Sequence, residues 1–306
     1  MFRNRLNWKC QMKPIMKIYL FMLLALLCCL MTTGCVSRPS ANDKQPLLVN
    51  VMSYNIRYGS AEDGENHWRY RKQGMFEYLS SEAPDVLGVQ EALDFQLKEI
   101  MENVSGYQFV GEGRDGGTSG EYNAIFYRSD KYILQDSGTF WLSETPQKPS
   151  IAWGNNCIRI CTWAVLADKT TGRAFYVYNT HLDHVSQPSR EKSVRLITKF
   201  MSKQNQSIPY VLTGDFNAGE DNAVIAYLKE QTVISLVDTF RAARPHETIV
   251  GTANGFKVGN VNSAKIDYIF TNASANVLKA DIHHPQYQGK YLSDHFPVTA
   301  TLQFNQ

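Results

Sequence analysis

The sequence predicts an α/β fold of the α+β kind, in which two packed sheets are flanked by helices. Three observations carry this. Apolar runs of strand length recur along most of the chain, and a few amphipathic stretches lie between them. No Pro/Gly/Ser-rich linker interrupts the pattern after residue 47. With 306 residues, 43% of them hydrophobic and 12% aromatic, the chain can bury a sizeable core and lacks the composition of a disordered protein.

Positions 1–34 stand apart from that pattern. They hold Arg3, Arg5, Lys9, Lys13 and Lys17, no acid, and the unbroken apolar run Ile18–Met31. At 14 residues the run falls short of the ~20 that span a bilayer and has the length of a signal-peptide core. Thr32-Thr33-Gly34 leads into Cys35, which resembles a bacterial lipoprotein signal whose cysteine carries lipid. Thr32 stands where that signal usually has an aliphatic residue, so a plain secretory signal is the alternative. The expected division is a leader over 1–34, a polar tether over 35–46 with two prolines, and a single folded domain over 47–306. The expected location is the bacterial cell envelope, with a lipid anchor in the outer membrane and a monomeric body.

Leu47–Asn55 reads as a strand by its β-branched and alternating apolar residues. Arg71–Ser81 has helical spacing at Met75, Tyr78 and Leu79, Pro84 stops it, and Val86–Val89 suits a buried strand. Ala92–Met101 is helical again. The chain then turns strand-rich through Tyr107–Val110, Tyr122–Tyr127, Tyr132–Leu142, Cys157–Ala167 and Arg173–Asn179. Ser189–Met201 is an amphipathic helix with Val194, Ile197, Phe200 and Met201 on one face. Pro209–Thr213 is a buried strand and Asn222–Lys229 a helix. Lys265–Phe270, Asn276–His283 and Phe296–Leu302 close the chain as strands.

Charge and cysteine content narrow the function. Without the leader, Lys+Arg falls from 31 to 26 against 29 Asp+Glu, so the body is near −3. That excludes a strongly basic surface built to hold nucleic acid by bulk electrostatics. Cys157 and Cys161 are the two cysteines of the body. Four residues apart on an expected strand, they would lie ~13 Å apart, too far for a disulfide. No zinc-type spacing exists, so both are expected to be ordinary buried thiols.

Polar residues collect where the apolar runs end. Asn55 follows Leu48–Tyr54, Gln90-Glu91 follows Val86–Val89, and Asn179-Thr180-His181 follows Phe175–Tyr178. Gly214-Asp215-Phe216-Asn217 follows Tyr210–Leu212, Asp267 interrupts an apolar strand, and Ser293-Asp294-His295 precedes the last one. Burying such groups unpaired costs several kcal/mol each, so their convergence on one pocket calls for compensation. A hard divalent cation supplies it, and carboxylate and amide oxygens suit Mg²⁺ or Mn²⁺ rather than zinc.

In this order the motifs resemble the endonuclease/exonuclease/phosphatase superfamily over residues 48–304. The resemblance implies a four-layer α-β-β-α sandwich of two mixed sheets, with the site at one end of both. It implies Glu91 as the main metal ligand, assisted by Asn55 and Asp294. Asp215 and Asn217 would position the attacking water or the phosphate. His295, oriented by Asp267, would act as general base or stabilise charge on the phosphoryl oxygens, and His181 would donate to a phosphate oxygen. Arg159 and Asn123 are expected to contact the phosphate, against a salt bridge and a plain turn role respectively. His184 has equal claim to substrate contact and to a solvated loop, and Arg190, Lys192 and Arg195 read as a solvated helix face.

The same resemblance narrows the substrate. The Pro-Ala-Trp-Cys-Asp-Arg signature of inositol 5-phosphatases is absent, and Lys265 stands where abasic-site endonucleases usually have Arg. The expected activity is a metal-dependent phosphodiesterase or phosphoesterase acting on a small phosphoester, a lipid headgroup or a glycan-linked phosphate. A secreted nuclease is the alternative, with nucleic acid a less favoured partner. An inactive binding module on the same scaffold would have lost a ligand or the base, and neither is lost here.

Overall fold

Leu47–Asn55 (β1) shows how the layers arise. Its first four residues alternate between buried and exposed, and from Val51 onward every residue is buried. One face meets a second sheet and the other passes under helices as the strand runs inward. A computed structural model describes residues 45–305. The leader, Cys35 and all but the last two residues of the expected tether lie outside the described residues. The described chain forms one compact unit from Gln45.

β1 runs antiparallel to Val298–Phe304 (β14) and parallel to Val86–Gln90 (β2). The parallel connection is made by helix Trp68–Glu82 (α1), packed on the outer face. Asp94–Asn103 (α2), Tyr107–Val110 (β3) and Ile125–Arg128 (β4) follow. With Asn276–Ile282 (β11) they complete a six-stranded sheet in the order β11-β14-β1-β2-β4-β3.

The second sheet repeats the device. Tyr132–Trp141 (β5), Ile160–Asp168 (β6) and Ala174–His181 (β7) form a meander, and helix Gln187–Met201 (α3) carries the chain to Tyr210–Asp215 (β8), parallel to β7. Ala223–Glu230 (α4), Leu236–Asp238 (β9), Thr239–Ala243 (α5) and Asp267–Asn272 (β10) complete it in the order β5-β6-β7-β8-β10-β9. Gln286–Tyr287 (β12) and Lys290–Tyr291 (β13) form a small separate hairpin.

Three apolar clusters mark the layers. Val49, Val51 and Val86 of one sheet meet Val177, Val211 and Ile269 of the other. Met75, Leu79 and Leu97 cover the first sheet, and Val194, Ile197 and Val224 cover the second. The result is the expected α-β-β-α sandwich of two mixed sheets. Between the sheets lies a buried polar tie centred on Asn179. Asn179 Nδ2 donates to the carbonyls of Val89 and Ala124, and Asn179 Oδ1 accepts from Gln90 Nε2 at 2.7 Å and Thr213 Oγ1 at 3.0 Å. Gly88 permits it, because a Cβ there would strike Thr213 Oγ1 and Asn179 Oδ1.

Most predicted elements appear with ends displaced by a few residues. α1 begins at Trp68 rather than Arg71, because His67 Nδ1 caps it by accepting from Arg69 N. β6 begins at Ile160 rather than Cys157, so Cys157 lies in the preceding loop. The short β9, α5 and the β12–β13 hairpin were not expected.

Candidate active site

Strand register assembles the site at one end of both sheets. In the second sheet His181 pairs with Asp215 across β7–β8, and Asp215 with Asp267 across β8–β10. In the first, Asn55 pairs with Gln90, which places Glu91 at the end of β2. Asn55 then joins the two halves, donating from Nδ2 to Glu91 Oε1 and to Asp215 Oδ2, each at 3.0 Å. Three residues just past the strand ends, Arg57, Glu91 and Asn217, adopt left-handed backbone with φ of 57°, 61° and 47°. Such strain costs of order 1–3 kcal/mol per residue and persists where surrounding structure imposes it, commonly at functional sites.

The histidines are differentiated by their partners. His295 Nδ1 lies 2.9 Å from Asp267 Oδ2, and its Nε2 lies 3.8 Å from Asp215 Oδ2. Burial alone would lower its pKa, but the Asp267 and Asp215 carboxylates outweigh that and hold the imidazolium well above the ordinary histidine range. His181 is the opposite case. Burial, with Arg159 and His295 nearby, drives its pKa well below the ordinary value, so it is neutral. Asn217 Nδ2 lies 3.0 Å from His181 Nε2, while His181 Nδ1 is buried without a partner. Burial and the adjacent Asp267 charge raise the Asp215 carboxyl, with His295 offsetting part of the shift.

Glu91 and Asp294 form the acidic side. Glu91 Oε2 accepts from Tyr58 N at 3.2 Å, and Ser293 Oγ donates to Asn55 O at 2.6 Å, fixing the Asp294 loop against β1. Burial, and then the charge of Glu91, push the Asp294 carboxyl up, partly offset by His295 and Arg57. A divalent cation would relieve that repulsion, and hard oxygen donors fit Mg²⁺ or Mn²⁺. Asn55 Nδ2 orients Glu91, and its Oδ1, which accepts from Arg57 N, keeps a second lone pair for a cation. Asp215, Asp267 and His295 also bring ligand atoms within 4.8 Å of one another. This trio is therefore a second group that could hold a cation, and its Asp267–His295 hydrogen bond also suits it to proton transfer.

Around these groups is a cleft of about 410 Å³, lined also by Arg57, Tyr58, Arg114, Glu121, Asn156, Cys157, Arg159 and His184. Arg159 is buried, with Nη2 3.0 Å from His184 Nδ1 and Nε 3.5 Å from Asp183 Oδ2. It is therefore a cleft residue rather than a surface salt bridge, and His184 joins it. Asn123 is not among the lining residues: its Nδ2 donates to the Ile160 carbonyl at 2.8 Å, tying the two sheets together. Cys161 is buried as expected, but Cys157 is half-buried, lines the cleft and lies 3.5 Å from Arg114 Nη1. Arg190 corrects a second expectation. It is buried and donates to the Asp183 carbonyl and to Gln187 Oε1, each at 2.7 Å, bracing the loop that carries His184.

The sequence reading missed Arg57, Tyr58, Arg114 and Glu121. Arg57 had a signal, standing two residues after Asn55 in the same strand-end segment. Arg114 and Glu121 flank a glycine-rich loop that follows no catalytic strand end, and nothing in their spacing marks them.

The family model described as "Endonuclease/Exonuclease/phosphatase family" matches residues 52–295. The chain belongs to this family. Its members hydrolyse phosphate esters, and the two sheets and the expected enzymatic class agree. An endonuclease/exonuclease/phosphatase family protein from Bacteroides thetaiotaomicron is 33% identical, with a TM-score of 0.79 over 86% of this chain and 100% of its own. A mannosyl-6-phosphatase from the same organism is 32% identical, with a TM-score of 0.78 over 83% of this chain and 99% of its own. An uncharacterized protein of Acanthamoeba polyphaga mimivirus is 28% identical over 76% of this chain and 90% of its own length.

Proposed function

We propose that the chain is a Mg²⁺- or Mn²⁺-dependent hydrolase of small or glycan-linked phosphate esters. The observation that carries this is the pairing, within one small cleft, of the Glu91–Asp294 carboxylates with Asp215 and His295, the latter held from behind by buried Asp267. The likeness to a mannosyl-6-phosphatase supports a sugar phosphate and turns the expected diester preference toward monoesters. A cleft of about 410 Å³ suits such a ligand, and the body charge near −3 disfavours a nucleic acid.

The roles follow from the geometry. Asp215, with its raised carboxyl and fixed by Asn55 and Asn217 N, accepts the proton of the attacking water. His295, kept as imidazolium by Asp267, donates to the phosphoryl oxygens as charge develops. His181, held at Nε2 by Asn217, lines the cleft as a neutral ring, and Arg159 with Arg114 draws the anion in. A bound Mg²⁺ or Mn²⁺, held by Glu91 and Asp294, supplies charge neutralisation at the phosphoryl group.

A substrate panel with Mg²⁺, Mn²⁺ or EDTA tests the reading. It compares mannose 6-phosphate, p-nitrophenyl phosphate, bis-p-nitrophenyl phosphate, sphingomyelin, plasmid DNA and RNA. Phosphate release from the sugar monoester, abolished by EDTA, is the expected result. Cleavage of DNA or RNA alone would favour the nuclease reading. We also propose that Cys35 anchors the chain by lipid in the bacterial envelope. Cys35→Ser should then leave the detergent phase, and a processed variant that stays there contradicts the anchor.

A further inference from the structure

We propose that Arg57 is a built-in counter-cation that shares the Glu91 and Asp294 carboxylates with the divalent metal and thereby sets the metal affinity of the site. The inference rests on the metal-dependent reading above and extends it to a residue whose role lies outside the reacting groups. Arg57 Nη1 lies 3.9 Å from Glu91 Oε2, and its Nε lies 3.7 Å from Asp294 Oδ2. These are the two carboxylates that the proposed function assigns to the cation. The guanidinium is close enough to neutralise them and too far for full hydrogen bonds. Its hydrogen bonds go instead to Asp63, from Nε at 3.0 Å and Nη2 at 2.9 Å.

The backbone at Arg57 is built for this placement. Its φ of 57° is left-handed, which an arginine adopts at a cost. Its N–H donates to Asn55 Oδ1, and its carbonyl accepts from Arg71 Nη2 and Gln96 Nε2. With the peptide pinned at both ends, only the side chain is free to redistribute. Asp63 is not among the cleft-lining residues, and it already takes both guanidinium hydrogen bonds. The arrangement is a balance. One positive charge is divided between Asp63 and the acidic pair, and a divalent ion on that pair repels the guanidinium toward Asp63. Every metal-binding event therefore works against Arg57 and is assisted by Asp63.

This gives two substitutions with opposite effects. Arg57→Met keeps the apolar stem and removes the charge. Asp63→Asn removes the anion that draws the guanidinium away from Glu91 and Asp294. Titration calorimetry of the purified full chain with MnCl₂, and separately MgCl₂, without substrate, reads the outcome directly. Arg57→Met should bind Mn²⁺ more tightly by ~5-fold or more, the lower end of ordinary coupling between sites. Asp63→Asn should bind it more weakly, the double variant should match Arg57→Met, and Arg57→Lys should stay near wild type. If Arg57 merely braced its loop, both single variants would weaken binding together. Unchanged or weaker Mn²⁺ binding in folded Arg57→Met, or tighter binding in Asp63→Asn, overturns the proposal while leaving the metal reading intact. A wild-type chain that binds neither ion at millimolar concentration overturns both.

Discussion

The two parallel β-α-β units of this protein are built alike and equipped differently. β1-α1-β2 ends in Asn55, Arg57 and Glu91, while β7-α3-β8 ends in His181, Asp215 and Asn217. In both, polar groups sit outside the carboxyl ends of parallel strands, where α/β sheets place ligands. The first unit carries charges that remain partly accessible, with the Glu91 and Arg57 side chains 13% and 26% exposed. The second carries His181 and Asp215, both buried, whose protonation is displaced by that burial. Geometry alone sets where a strand-end residue lies. Desolvation then displaces the protonation of His181 and Asp215, a burial that the accessible Glu91 and Arg57 escape in part. Asn55, bonded to Glu91 and Asp215, couples the two.

Breaking the proton side should cost most. Asp215→Asn removes the proposed proton acceptor and leaves a nearly isosteric amide, so kcat should fall ~10³-fold or more. A fall under tenfold in steady-state assays at saturating metal would move the base elsewhere.

The pH profile sharpens the same division. Asp267 raises both neighbours, Asp215 by repulsion and His295 by attraction. In the proposed mechanism the active form has Asp215 ionised and His295 protonated. kcat/KM should therefore rise as pH climbs through the raised Asp215 value, and fall as it climbs through the raised His295 value. Asp267→Asn should move both limbs to lower pH. If His295 were instead the general base, activity would rise through its pKa with no alkaline limb to move. Stability follows from the same sign. The raised His295 pKa contributes stability that is fully present below the unfolded value and is lost as pH rises through the folded one.

The smallest expected effect lies between the units. Gly88→Ala forces a Cβ onto Thr213 and Asn179, which should cost about 1–3 kcal/mol of stability by overpacking. Chemical denaturation reads this, and kcat at low temperature should stay within a few-fold of wild type. A large kcat loss with unchanged stability would show that the inter-sheet tie positions the site rather than holds the sheets.

Much of this was legible in the sequence, because an apolar run ending in a polar group is a local pattern. Asn55, Glu91, His181, Asp215, Asn217, Asp267, Asp294 and His295 could be gathered that way; register aligns Asn55, His181, Asp215 and Asp267, and the adjoining loops bring in the rest. What pattern could not show is direction. Gln90 and Asn179 belong to the same motifs as Glu91 and His181, yet they turn inward and join the sheets. Asn123 does likewise, and Cys157 turns out to face the cleft because its segment is loop rather than strand. Arg57 and Asp63 are six residues apart with no period to link them, and only the tertiary turn makes them a pair. β9 and α5, at three and five residues, are too short for any periodicity to register.

The division of labour is tested most directly by titrating Mn²⁺ against kcat for two variants side by side, Glu91→Gln and Asp215→Asn. Glu91→Gln should lose ~10²-fold at low metal, the size of a lost charge-stabilising contact, and recover part of it as Mn²⁺ rises. Asp215→Asn should stay flat over the same range. Equal rescue of both, or rescue of neither with Glu91→Gln near wild type, would contradict the assignment of metal to one unit and proton transfer to the other.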